Sequence, residues 1–201
     1  MEAAMLPTGI YAYEIRLNGA LIASEECRFD AVTISASHRS ADGLSRRTVE
    51  AALDSEHRVH HITLSYSSSL FTRKARYEAV EGNLRGRISG LSSRNEVVVT
   101  LGRYREVDPG FLIFRALIIA HMRSRGEQRW TGRVAVIDPN TLAAASFKQT
   151  CTRHKDSEFC WIYEPRMGDA EQIELDDAGR IVRRRDNRGA TAELISGGAA
   201  C

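Results

Sequence analysis

Long apolar runs are scarce in this chain, and that scarcity excludes a membrane-spanning helix. The longest apolar stretch lies between Phe111 and Met122 and is interrupted only by Arg115 and His121. Its about 10–12 residues fall short of the roughly 20 that cross a bilayer. The opening residues MEAAMLPTG show neither the basic nor the apolar region of a secretory signal. The sequence as it stands therefore predicts a cytoplasmic protein, or a periplasmic one if a leader has been removed.

Motifs for metals, cofactors and covalent catalysis are missing as well. The four cysteines, Cys27, Cys151, Cys160 and Cys201, form no CxxC pair and no Cys/His pair at zinc spacing. The chain contains no GxSxG, GxGxxG, P-loop or HExxH sequence. We therefore predict no metal, no cofactor and no catalytic residue that the sequence can name.

Charge of one sign is not in excess either, because the formal net charge is only +2. A nearly balanced chain has no global field that attracts nucleic acid. The arginine-rich stretches at 46–47, 73–76 and 183–185 lie in predicted strands, where successive side chains alternate between two faces. We therefore predict no nucleic-acid surface.

Apolar and polar residues alternate along most of the chain, which is the period of a strand with one solvated face. Asn18-Gly19 separates the first two alternating stretches and predicts an opening hairpin. No helical pattern separates the successive strands before residue 108, so an antiparallel meander is expected. The predicted strands cover residues 10–17, 20–29, 32–38, 46–53, 59–66, 71–80, 84–89, 96–101, 130–137, 143–153, 158–164, 173–175, 180–184 and 191–195.

One segment follows a different pattern and predicts a buried helix. Asp108 suits an N-cap and Pro109 the first helical position. From there to Met122, apolar residues cover nearly the whole circumference, which indicates burial on all sides. We expect a mainly β fold, with an antiparallel curved sheet or half-open barrel wrapped around one helix from about Pro109 to Met122. The expected unit is a single domain over residues 1–201, ordered from about 8 to 196.

Charged and titratable residues inside this predicted core need partners. Arg115 lies in the middle of the helix, where burial requires a counter-charge: an inward acid such as Glu50 or Glu78, or the head group of an anionic ligand. His121 near the end of the helix has two interpretations, a histidine bonded to helix carbonyls or a desolvated group that titrates near neutral pH. The cluster of His57, His60 and His61 is interpreted as a solvated strand end.

Two cysteines flank a predicted turn. If Lys155 and Asp156 form a two-residue loop, Cys151 lies directly opposite Cys160. Opposed residues have Cα atoms about 4.5–5.5 Å apart, which is within disulfide range. A cross-strand disulfide is therefore possible, and two reduced thiols are the alternative.

The hairpin YAYEIRLNG, the helix entry DPGFLIFRAL and the closing stretch WIYEPRMGDAEQIELDDAGRIVRR together resemble a bacterial family of unknown function related to the LolA/LolB lipoprotein carriers. The resemblance extends over most of the chain. It implies a half-open antiparallel barrel with a helix in its mouth, acyl chains held in the cavity between them, and export from the cytoplasm.

These observations predict a non-enzymatic protein that binds or carries an apolar or lipid-like ligand between sheet and helix. A cavity of about 300 Å³ or more beside the helix would support this function, and a solid core would contradict it. One alternative is a barrel-type enzyme acting on a small hydrophobic substrate, with His121 or an inward carboxylate as acid–base. Another is a structural or partner-binding protein with an exposed apolar sheet face and no cavity. The predicted ligand-binding residues are Phe111, Phe114, Arg115, Leu117, Ile118, Trp130 and Trp161.

Overall fold

A single sheet of 15 strands forms the protein in a computed structural model that describes residues 6–90, 95–166 and 168–198. The strands are β1 (Gly9–Leu17), β2 (Ala20–Phe29), β3 (Thr33–Ser40), β4 (Ser45–Leu53), β5 (Val59–Ser68), β6 (Thr72–Val80), β7 (Asn83–Ser89), β8 (Asn95–Thr100), β9 (Val107–Asp108), β10 (Arg129–Ile137), β11 (Ala144–Arg153), β12 (Cys160–Glu164), β13 (Glu171–Leu175), β14 (Ile181–Asp186) and β15 (Ala190–Gly198).

The sheet consists of two meanders joined through the first and last strands. Strands β1 to β8 follow one another outward on one side of β1, and β15 back to β10 follow on the other side, where β1 pairs with β15. All pairs are antiparallel except β9 with β10. Because β8 and β9 are edges, the sheet curves without closing. The mainly β fold and the opening hairpin are confirmed, and Asn18 and Gly19 both have the positive φ of its tight turn.

The one helix among the described residues, α1 (Leu112–Ser124), lies inside the curve of the sheet. Ten of its 13 residues are buried, which confirms the predicted burial on all sides. Removing each large apolar side chain from water contributes about 1.5–3 kcal/mol, so packing rather than local propensity holds the helix in place. No helix in the described part of the chain is long and apolar enough to cross a membrane.

The predicted start of the helix at Pro109 is three residues too early. Asp108 belongs to β9, and its carboxylate accepts a hydrogen bond from the Gly110 N–H at 2.8 Å instead of capping the helix. Gly110 has a φ of +82°, which no α-helix accommodates, so the helix begins only after this residue. Phe111 is the N-cap residue, and its side chain makes no capping bond.

The predicted register between Cys151 and Cys160 is also wrong. The turn extends over residues 154–159 instead of two residues, because the His154 N–H bonds to the Cys160 carbonyl and closes a longer loop. Cys151 therefore faces Tyr163 across the ladder. Cys27, Cys151 and Cys160 are free thiols; Cys201 lies outside the described residues.

The β8 edge of one meander lies beside β11 of the other. Residues of β8 and β11 line a common surface depression. The Tyr77 hydroxyl of β6 donates a hydrogen bond to the Leu142 carbonyl, 2.5 Å away, in the turn before β11. This bond joins the two meanders across the opening and helps to enclose the helix.

Candidate functional site

A cleft of about 450 Å³ opens at the N-terminal end of α1. The helix contributes Leu112 and Arg115, and Gly110 lies just before it. The volume of the cleft exceeds roughly 300 Å³, the lower end of the range for ligand-binding sites. The walls mix apolar and charged residues: Ile15, Ile22, Glu25, His38, Arg47, Asp108, Val136, Ile137, Pro139, Pro165, Arg166, Asp169, Glu171, Arg184, Asp186, Asn187, Arg188 and Ala190 complete the lining.

Arg115 reaches this cleft from the helix and is held by two buried carboxylates. It donates a hydrogen bond to Glu171 of β13, and its Nε lies 3.7 Å from an oxygen of Asp108. Glu171 also accepts a hydrogen bond from Arg184 at 2.9 Å. Burial by itself lowers the pKa of Arg115, but Glu171 and Asp108 outweigh it and raise this pKa above its ordinary value. The ion pair expected for Arg115 is therefore present.

The partners of Arg115 differ from the acids suggested by the sequence. Glu50 and Glu78 are exposed on the strands that carry them, away from the helix. Glu171 lies 56 positions from Arg115, and a pair so distant in the chain leaves no local pattern. Only the fold, which places β13 beside the start of the helix, identifies it.

The opposite wall carries a row of three polar residues on neighbouring strands. Glu25, His38 and Arg47 are directly paired across β2, β3 and β4. Glu25 accepts a hydrogen bond from the Leu112 N–H at 2.8 Å, so a side chain of the sheet caps the helix N-terminus. The second oxygen of Glu25 lies 3.7 Å from Nδ1 of His38.

Arg47 is half-buried, and its guanidinium carbon lies 5.7 Å from the centre of the Phe111 ring. Its guanidinium group makes no hydrogen bond or ion pair with any residue in the described ranges. Burial lowers the pKa of Arg47, and the nearby Glu25 carboxylate opposes this effect. An arginine nevertheless stays charged at neutral pH.

The predicted ligand-binding residues divide into one cleft residue and six core residues. Arg115 lines the cleft. The other six have exposures of 3% or less and lie outside the cleft lining: Phe111, Phe114, Leu117, Ile118, Trp130 and Trp161. They pack between helix and sheet, and a void of only about 10 Å³ borders Phe114 and Leu117.

Sequence reasoning missed the row of Glu25, His38 and Arg47, although a signal was present. Glu25 has the same alternation phase as Ala23, Cys27 and Phe29, which face the core. His38 and Arg47 likewise share the phase of buried residues in their strands. Polar side chains in a core-facing phase, on three consecutive strands, indicate a polar site inside the sheet.

A second polar cluster fixes the other end of the helix. His121 Nδ1 lies 3.2 Å from a carboxylate oxygen of Glu106 and 2.5 Å from a guanidinium nitrogen of Arg58, and Arg58 also bonds Glu106. His121 is thus bonded to side chains instead of helix carbonyls. The adjoining void of about 10 Å³ has room for about one water, so no substrate fits beside His121 in this structure.

No family model matches the chain, and no curated protein matches it. Two solved structures have similar folds. One is a DUF1089 family protein from Pseudomonas aeruginosa, with 17% identity and a TM-score of 0.59, covering 80% of this chain and 87% of that one. The other is a beta-barrel-like protein of the domain of unknown function DUF1849 from Brucella abortus, with 9% identity and a TM-score of 0.56, covering 99% and 100%.

At these identities the similarity shows the fold alone. It agrees with the expected likeness to bacterial β-barrel-like families of unknown function. The more specific relation to the LolA/LolB carriers stays a prediction.

Proposed function

We propose that the protein binds and carries a small lipid-like molecule, without converting it, in the cleft at the N-terminal end of α1. The observation that carries this proposal is the cleft itself, whose volume of about 450 Å³ lies in the range of ligand sites. Its walls include Ile22, Val136, Pro139 and Pro165, which are partly or fully exposed, and these side chains offer apolar contact to one end of an amphipathic ligand.

Contact between the ligand and the six predicted core residues is a further part of the proposal, and it requires movement. Those side chains are fully packed, so an apolar chain reaches them only if α1 shifts outward. A short ligand needs no such shift, because the cleft is already open. The LolA-like carrier role suggested by the sequence requires a ligand whose apolar chain is long enough to reach these core residues.

Native mass spectrometry of the purified protein tests the proposal first, because a carrier is expected to retain part of its cargo. Calorimetric titration with 1-decanol then tests the cleft. We expect Ile22→Asp to weaken decanol binding at least tenfold, since it places a charge on the apolar wall. Ile10→Asp is the matched control, because Ile10 and Ile22 are each 42% exposed but only Ile22 lines the cleft.

The absence of both co-purified lipid and decanol binding would contradict the proposal. Decanol binding that Ile10→Asp and Ile22→Asp weaken equally would place the ligand elsewhere.

A further inference from the structure

We propose that Arg47, with His38 beside it, forms an anion-binding subsite in the cleft, and that the ligand therefore carries a carboxylate or phosphate group. This inference rests on the proposed function, because it assigns a chemical class to the ligand of the same cleft. It moves the contact with an anionic head group from Arg115, where the sequence suggested it, to a residue on the opposite wall.

Three of the other four arginines of the cleft are in ion pairs, and the fourth, Arg166, is exposed to water. Arg115 is held by Glu171 and Asp108, and Arg184 by Glu171 and Asp186. Arg188 bonds Asp169 at 3.0 Å, and Arg166 lies over the Phe147 ring with 5.3 Å to its centre. Among the residues that the structure describes, no carboxylate lies within ion-pair distance of Arg47. Of the five arginines that line the cleft, Arg47 is the one that is half-buried and has no acid to pair with.

The acid of the same row is already engaged. Glu25 faces His38 and caps the helix through the Leu112 N–H. Phe111 offers Arg47 only the face of its ring, which attracts a cation but accepts no hydrogen bond in the plane of the guanidinium. The guanidinium N–H groups of Arg47 are thus free to bind an oxyanion, because two oxygens of a carboxylate or phosphate match a pair of guanidinium N–H groups.

Further hydrogen-bonding capacity of the cleft is unused. Three residues of the lining each have a buried side-chain nitrogen without a hydrogen-bond partner in the described parts of the chain: His38 Nδ1, Arg115 Nε and Arg184 Nε. Buried polar atoms are nearly always bonded, and His38, which is paired directly with Arg47, is the one of the three residues whose free nitrogen an acceptor bound at Arg47 would satisfy. Five arginines and five acids line the cleft, so selectivity for anions comes from this arrangement and not from excess charge.

Titration of the full chain with decanoate, 1-decanol and inorganic phosphate separates head group from tail. Decanoate and decanol each have ten carbons, and phosphate has no tail. We expect decanoate to bind at least tenfold more tightly than decanol. Added sodium chloride should weaken the binding of decanoate but not of decanol, because salt screens charge; this comparison needs no variant.

The decisive variant is Arg47→Met, which keeps much of the apolar stem and removes the charge. It should weaken decanoate binding at least tenfold and leave decanol binding unchanged. Arg46→Met is the matched control, since Arg46 directly precedes Arg47 in β4 and faces the outer side of the sheet. Arg47→Lys retains the charge without the fork and should give an intermediate loss. Unchanged thermal midpoints show that each variant folds.

Each outcome separates this inference from the proposed function. Equal binding of decanoate and decanol would overturn the anion subsite and leave the lipid-like ligand standing. Phosphate binding that Arg47→Met abolishes, without binding of either amphiphile, would support the subsite for a free anion and contradict the lipid-like ligand. Binding of decanoate without phosphate would identify the anion as the head group of a larger ligand. If none of the three binds, or Arg47→Met changes nothing, the inference fails.

Discussion

Replacing Glu171 by glutamine should destabilise the fold strongly, because this carboxylate lies between two buried guanidinium groups. Its side chain is only 7% exposed and accepts hydrogen bonds from Arg115 and Arg184. Breaking a buried ion pair by removing one partner costs about 3–5 kcal/mol. Asp108 and Asp186 stay near the two arginines, so we expect the lower end of that range, about 3 kcal/mol.

Chemical denaturation followed by tryptophan fluorescence measures this loss, since Trp130 and Trp161 are both buried. For a chain of this size, a loss of about 3 kcal/mol corresponds to a fall of roughly 6–12 °C in the thermal midpoint. Glu174→Gln is the control on the same strand. The side chain of Glu174 is 39% exposed and lies 4.0 Å from Arg183, so its loss should cost less than about 1 kcal/mol.

A double-mutant cycle tests whether the cost arises from the Arg115 charge. In an Arg115→Met background, Glu171→Gln should cost clearly less, because one of the two stranded charges is gone. If Glu171→Gln costs no more than Glu174→Gln, or costs the same with and without Arg115, the buried network does not hold the helix in place.

Three further predictions concern the core. Gly132→Ala should cost about 1–3 kcal/mol in denaturant unfolding, because an added Cβ would lie 2.4 Å from the Trp130 ring; an unchanged midpoint would contradict this. Burial raises the pKa of the Cys151 thiol to about 12, and it also raises the pKa of Cys27. Iodoacetamide at pH 8 should therefore alkylate both thiols only at denaturant concentrations that unfold the chain, as peptide mass spectrometry can measure. Labelling without denaturant would refute their burial. Burial raises the pKa of Tyr77 from 10.0 to about 12. The contribution of the protonated Tyr77 hydroxyl to stability should therefore be complete below pH 10 and decline as the pH rises from 10 to 12. The free energy of unfolding, measured across this range, should fall less steeply for Tyr77→Phe than for the unchanged protein.

The sequence predicted those parts of the fold that depend on local periodicity. Strand alternation is visible in the buried Tyr11, Tyr13 and Ile15 of β1, and the helix is apolar on every side because the sheet surrounds it. The start of the helix was missed because its cap, Glu25, lies 87 positions away. Strand β9 was missed because two residues show no period.

The candidate site was less predictable, for a physical reason. An apolar side chain that packs a core and one that contacts a lipid have the same chemistry, so Phe114 or Trp161 cannot be assigned to either role from sequence. Polar residues in core-facing positions are more informative, because burying them is unfavourable without a partner. Arg115 was recognised in this way, and the same reasoning applied strand by strand would have found Glu25, His38 and Arg47.

The polar contacts at the two ends of α1 determine whether a long ligand reaches the interior. Opening the helix breaks the contacts of His121 Nδ1 with Glu106 and Arg58 at the C-terminal end, and none of these three residues lines the cleft. The free energy needed to break these contacts lowers the apparent affinity of any ligand that binds only when the helix has moved outward. Glu106→Gln should therefore raise the affinity for hexadecanoate relative to decanoate in calorimetric titrations, because only the longer chain needs the helix to move. An unchanged ratio would mean that both ligands stay in the cleft and that the six core residues never contact them.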